Sequence, residues 1–402
     1  MPSVNPEILS WARKTAGLSL EEAAEKLGIH DSHGVKAAQR LAALEAGDTP
    51  TRPILLKMAQ KYRRPLIAFY MSNVPRKGDR GQDFRSLPVG HSRAADALLD
   101  ALVRDIRARQ SMVRAVLEDV DEAVPLPFIS SARMSDGVPA LVASIRGRLN
   151  LDLLSLRTKA SAEEAFGLLR DQAESVGIFV LLIGNLGSHH TAIDLETFRG
   201  FALADEVAPF VVINDQDSHA AWSFTLVHEL AHLWIGETGV SGAQFGSPIE
   251  RFCNDVAGEF LLPTDELREL KVDSFTDVEM AEQLIADFAN NKNVSRSMVA
   301  YKLYRVGSIN QDIWRKLSSS FRQSWLQART ERRETTRDHE GGPNYYVVRR
   351  HRLGNALVNL VRRTMADGIL SPSKAGKVLG VKPINVQALV NVAGPQHSGP
   401  AA

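Results

Sequence analysis

A mostly helical α+β fold is what this chain predicts, and three observations carry the prediction. Apolar residues recur at helical spacing over long stretches, as in ILSWARKTAGLSLEEAAEKLG and AADALLDALVRDIRARQSMVRAVLEDV. Three short runs read instead as strands of a small sheet: GIFVLLIG, of β-branched and apolar residues, then FRGFALAD and APFVVIND. Directly after them comes SFTLVHELAHLWIG, whose apolar residues return to helical spacing.

Taken in order, residues 6–75 read as a compact helical module. Its first helix breaks at Gly17 and reopens at Ser19, which forms a capping-box pattern with Glu22. A turn at Gly47 to Thr51 precedes a further helix from about Arg52. The run SNVPRKGDRGQDFRSLP is rich in Gly, Pro and charge and reads as a linker. A long amphipathic brace follows, then short helices to about Asn150. SAEEAFGLLRDQAESVG opens the central region as a helix, and the strands follow, the last two joined by a turn at Asp205 to Pro209. From Asp277 to about Leu326 the pattern is helical again. The divisions expected are 1–75, 76–159 (linker and brace), 160–328, 329–344 (linker) and 345–402, a small basic helical domain with a disordered tail.

Composition narrows the class. Hydrophobic residues make up 44% and charged residues 24% of the 402, the balance of a soluble globular protein. No apolar stretch approaches the roughly eighteen residues of a membrane span, and MPSVNPEILSWARK lacks a signal peptide's apolar core. A single cysteine excludes an intrachain disulfide framework and suits a cytoplasmic location. Net charge is only +1, so nucleic-acid binding would depend on local patches.

The chemistry concentrates in His228, Glu229 and His232. His-Glu-x-x-His places two imidazoles one helical turn apart on one face, where they can grip one Zn²⁺. Asp217 or Ser218 can cap this helix and Gly236 can end it. A catalytic zinc takes three protein ligands and leaves one position open, so a third ligand must come from elsewhere. The run IERFCNDVAGEFLLP offers Glu250 and Glu259, which face opposite sides of a regular helix. Glu250 is preferred, with Asn254 one turn on to orient a ligand. Cys253 lies about 60° from that carboxylate, close enough for its thiol to act as a regulatory gate unless it simply packs in the core.

FTLVHELAHLW, preceded by APFVVIND and followed by ERFCNDVAGEFLLP, resembles the ImmA/IrrE family of zinc metallopeptidases across about 160–263. The match covers Phe224 to Leu226, His228 to His232, Glu250, Asn254, and Leu261, Leu262 and Pro263; Cys253 stands where the family usually has alanine. The resemblance implies a zincin-like domain with Zn²⁺ held by His228, His232 and Glu250, and Glu229 as general base. It also implies narrow proteolysis of a repressor or antitoxin-like partner in a stress or DNA-damage response. His219, His189 and Tyr301 are candidates for stabilising the oxyanion.

Leu44, Glu45 and Gly47 resemble the end of the third helix in lambda-repressor-like helix-turn-helix domains, with HDSHGVKAAQR as extra length. Lys36, Gln39 and Arg40 would then face a DNA groove, unless the module serves for docking. In the tail, Arg349, Arg350, Arg352, Arg362 and Arg363 cluster, and Arg349 and Arg350 are further candidates for binding DNA, duplex or single-stranded. The competing functional class is a transcription regulator or antitoxin-type protein that senses a ligand or partner without turnover. The intact Glu229 favours the enzyme, because binding alone gives that residue no chemical task.

Overall fold

The computed structural model describes residues 3–75, 93–236, 239–241, 247–274, 276–337 and 344–392. It confirms a mostly helical α+β chain, grouped by contacts into two compact units. One comprises residues 1–106 and 185–198, the other residues 107–184 and 199–402. Among the described residues, no helix is long and apolar enough to cross a membrane.

The first unit holds α1 (Pro6–Thr15), α2 (Leu20–Leu27), α3 (Ala37–Ala46), α4 (Arg52–Lys61) and the start of α5 (Arg93–Asp119). The capping box forms as the sequence predicts: Glu22 N donates to Ser19 Oγ at 3.1 Å, and Ser19 N donates to Glu22 Oε2 at 2.8 Å. Ile8, Leu9, Leu27, Leu41, Met58 and Phe69 form the core, and Arg13 grips Glu45 at 2.7 and 2.9 Å to tie α1 to α3. Residues 28–36 join α2 to α3, nine in all. Within them Ser32 pairs with Val35 across a tight turn in which His33 and Gly34 take φ of 51° and 77°. That turn absorbs the extra length, and it is longer than the three or four residues of a helix-turn-helix connection.

The second unit continues with α6 (Val138–Leu149), α7 (Leu153–Arg157), α8 (Ala162–Ser175), β1 (Phe179–Leu182), β2 (Gly200–Leu203), β3 (Phe210–Ile213), α9 (His219–Ile235) and β4 (Gly239–Ser241). Beyond them lie α10 (Pro248–Leu261), α11 (Thr264–Leu267), α12 (Val278–Lys292), α13 (Arg296–Arg305), α14 (Gln311–Arg337), α15 (Tyr345–Leu353), α16 (Asn355–Ala366), α17 (Pro372–Leu379) and α18 (Pro383–Asn391). The sheet order is β1-β3-β2-β4, with β1 parallel to β3 and the other pairs antiparallel. Every residue of β1, β2 and β3 is buried, which is why these strands read as continuous apolar runs. In the β2–β3 connection, Asp205 Oδ1 accepts from Val207 N and Ala208 N at 2.9 and 2.8 Å, a side-chain-supported turn.

Several sequence expectations need correction. The core around α9 begins well before residue 160, because Phe128, Leu141, Ile145 and Leu149 pack with Leu169, Leu230 and Phe260. The linker expected at 329–344 is helical as far as Arg337, within α14. Residues 345–392 group with the central region in one unit. A buried pair makes that join. Arg170 of α8 donates to the carbonyls of Val180, His351 and Arg352, while Glu174 accepts from Asn355 N and Ala356 N at 2.8 and 2.9 Å and so caps α16. The clustered arginines divide: Arg362 and Arg363 are exposed, whereas Arg349, Arg350 and Arg352 are at least partly buried. Arg350 is 9% exposed, Arg349 donates to the carbonyls of Leu379 and Gly380 at 3.0 Å, and Arg352 pairs with Asp215 at 2.7 Å. Most of the first expected linker and the tail beyond residue 392 lie outside the described residues.

Candidate metal centre

Helix α9 is buried on nearly every side from Trp222 to Trp234, the condition of a helix in the middle of a core. Ser218 is its N-cap residue, and Gly236 ends it at φ 80° in the left-handed region. The backbone of residues 130–132 reaches the end of the helix, Ser130 N donating to Leu233 O at 3.0 Å and Ala132 N to Trp234 O at 2.9 Å. Phe128 stacks on Trp234 with ring centroids 4.4 Å apart. These contacts hold the His-Glu-x-x-His turn in a fixed register.

Helix α10 is built to present Glu250. Ser247 caps it, its Oγ accepting from Glu250 N at 3.2 Å, with Pro248 in the first turn. Glu250 therefore sits in the first turn, where the helix dipole favours a carboxylate. The other end carries carbonyls that need donors. Arg146 donates to Phe260 O at 2.6 Å, Arg157 donates to Leu261 O, and Lys302 donates to the carbonyls of Gly258 and Leu262. Cationic side chains from three helices thus anchor the end of α10.

The two helices bring three donors together. His228 Nε2 and His232 Nε2 lie 3.1 Å apart, and each lies 3.3 Å from an oxygen of Glu250. Among the described residues this is the group of His, Cys, Asp and Glu side chains whose donor atoms converge closely enough for one metal ion. A tetrahedral centre with bonds of about 2.0–2.1 Å separates its ligand atoms by about 3.3 Å. The two imidazoles and the two oxygens of Glu250, one facing each ring, thus stand at about the separation of ligand atoms around one ion, and two imidazoles with one carboxylate suit Zn²⁺. Burial pushes the Glu250 carboxyl up, but hydrogen bonds and charge from His228 and His232 outweigh it and hold the pKa down at about 2.

The remaining candidates fall elsewhere. Glu259 pairs with Lys302 at 2.6 Å and accepts from Thr264, so it serves the end of α10. Burial works to raise its pKa, yet Lys302 and Thr264 keep it below the usual range. Cys253 is fully buried in the apolar core beside Val256 and Ala257 and is not among the converging donors. Asn254 is buried one turn after Glu250 on α10. His219 pairs with Glu163 at 3.0 Å at the start of α9. Tyr301 donates to Asp255 at 3.4 Å, and burial together with Asp255 pushes its pKa up to about 12. The side chain of His189 lies outside the described residues. Lys36, Gln39 and Arg40 are exposed around the start of α3, where Gln39 accepts from Lys36 N at 3.2 Å and Arg40 donates to His30 O at 2.6 Å.

Sequence reading missed Gly200. On β2, a Cβ built at this residue would lie 2.5 Å from Thr225 Cγ2, 2.9 Å from Glu229 Oε1 and 3.1 Å from Val212 O. The glycine lets α9 press against the sheet, with the fully buried Glu229 carboxylate over the strand backbone. A glycine inside an apolar strand pattern was the available signal.

Residues 174–304 match the family model described as the IrrE N-terminal-like domain, a peptidase family. The match covers roughly a third of the chain and includes the sheet, α9 and α10. It supports a zincin-like metallopeptidase reading of this stretch. Comparisons with curated proteins and with solved structures give no match.

Proposed function

We propose that this chain is a zinc-dependent endopeptidase that cleaves one specific protein partner, of repressor or antitoxin type, in a stress or DNA-damage response. The observation that carries the reading is the convergence of His228 Nε2 and His232 Nε2, 3.1 Å apart, on the Glu250 carboxylate, whose Oε2 and Oε1 lie 3.3 Å from them respectively. A zinc ion held there supplies Lewis acidity, acidifying water and polarising a carbonyl. Glu229 stands next to His228 on the same buried turn. Its carboxylate takes the proton of the attacking water and passes it to the departing amide nitrogen. Gly200 leaves room for that carboxylate above β2. At one end of the sheet order, β4 offers a strand edge on which an extended peptide can lie by backbone hydrogen bonding.

Glu229→Gln preserves size but cannot accept a proton. Purified variant and wild type should carry the same zinc, about one ion per chain. Cleavage of a repressor-type protein encoded beside this one should slow by roughly 10²–10⁴ in the variant. Wild-type cleavage by Glu229→Gln would overturn the mechanism.

A further inference from the structure

The C-terminal helices carry a surface that the peptidase reading leaves unused. Helices α17 and α18 are joined by three residues, Gly380 to Lys382, the short glycine-containing connection of a helix-turn-helix. Gly380 takes φ 62°, and Val381 N donates to Gly376 O at 2.8 Å, closing the turn. A Cβ on Gly376 would lie 2.8 Å from Val381 O and 3.2 Å from Pro383 N, so α18 starts hard against α17. Ala375, Val378 and Leu379 of α17 and Val386, Leu389 and Val390 of α18 are buried beneath.

The opposite side of α18 is open. Ile384, 85% exposed, Gln387, Ala388 and Asn391 form an i, i+3, i+4, i+7 stripe. An isoleucine so exposed at the start of a helix costs solvation without helping the fold. On the neighbouring helices and the turn, Arg362 of α16, Lys374 and Lys377 of α17 and Lys382 are exposed. Of the eight Lys and Arg between residues 344 and 392, where the sequence has one acid, Asp367, Arg350 is buried and Arg349, Arg352 and Arg363 bond to other groups of the chain, so Arg362 and the three lysines make the exposed basic face.

We propose that α18 is a recognition helix for duplex DNA. The lysines flanking the turn contact phosphates, Gln387 and Asn391 read adenine edges in the major groove, and Ile384 meets a thymine methyl group. The surface therefore prefers sites containing A·T pairs. This assignment replaces Arg349 and Arg350 with outward-facing residues and does not depend on the metal centre.

The test uses the full-length protein with fluorescent duplex DNA, first a random-sequence pool for selection and then the selected site. Wild type should bind the selected site, and its affinity should fall steeply with salt. Lys374→Ala with Lys377→Ala and Lys382→Ala should weaken all duplexes alike and reduce the salt slope by up to about 3. Gln387→Ala with Asn391→Ala should flatten the preference for the selected site by roughly 10-fold or more and leave the salt slope unchanged. Zinc content and thermal midpoint, unchanged in both, report that the variants fold. No duplex binding at low salt would overturn the proposal. So would binding that survives both the lysine variant and the α18 variant but is lost in Lys36→Ala with Arg40→Ala. A loss of partner cleavage without a change in DNA affinity would reassign the surface to protein docking and also overturn it.

Discussion

At the scale of single residues, Gly200 and Glu250 divide the work of the site. Gly200→Ala would push a methyl group against Thr225 and the Glu229 carboxylate. Zinc content should stay as in wild type while kcat for partner cleavage falls by about 10²-fold, the cost of misplacing a reacting group by an ångström. Full activity in that variant would mean the close approach does not matter to the chemistry. For the ligands, Glu250→Ala should lose zinc, whereas Glu259→Ala should keep it and lose stability, because Glu259 holds Lys302. Metal analysis of the two purified variants decides the point, and the reverse order would reassign the ligand. The histidine pair was legible in the sequence because its spacing is local to one helical turn. Glu250 needed only the phase of one further helix. Gly200 offered only the hint of a glycine within an apolar strand, since its constraint comes from Thr225 and Glu229 on a helix later in the chain. Arg349 and Arg350 show a similar limit: a basic run reads the same whether it faces solvent or, as Arg349 does, donates to the carbonyls of Leu379 and Gly380.

Among the elements, α10 matters most, because it positions Glu250 from a helix clamped at its far end. Arg157 donates to Leu261 O and Lys292 O and pairs with Glu266 at 3.1 Å. Arg157→Ala removes the donor from two partly buried carbonyls, so it should cost about 1–3 kcal/mol. A denaturation midpoint that falls without a change in slope would report that loss, and zinc affinity should weaken with it. An unchanged midpoint would show that Arg146 and Lys302 suffice. The long helices were readable from periodicity. β4, only three residues long, was too short to carry any. The start of the expected linker, RTERRETTR, is helical because Glu and Arg favour helix, and the breakers Gly341, Gly342 and Pro343 come later.

On the scale of the whole molecule, the second unit has a built-in pH response. Burial, followed by the positive charge of Arg170, lowers the pKa of His351 to about 4; Glu163 opposes the shift, and His219 and Arg352 add smaller contributions to it. The folded state therefore prefers neutral His351, while the unfolded chain takes up the proton at its ordinary value near 6.5. Stability from this residue is complete above about pH 6.5 and is lost as pH falls toward 4. Discounted for partial exposure, the loss is about 1–2 kcal/mol. Thermal midpoints from pH 7 to pH 4.5 should fall less in His351→Gln than in wild type, and parallel curves would refute the assignment. The Arg170 and Glu174 clamp has a further consequence. Backbone carbonyls and amides, together with the Arg352–Asp215 pair, fasten α15 and α16 to α8 and β1. Peptide continuity between α14 and α15 is then dispensable for assembly. Two separately expressed fragments, 1–337 and 344–402, should associate on mixing and co-elute as a complemented, nicked protein, and Glu174→Ala in the larger one should keep them apart.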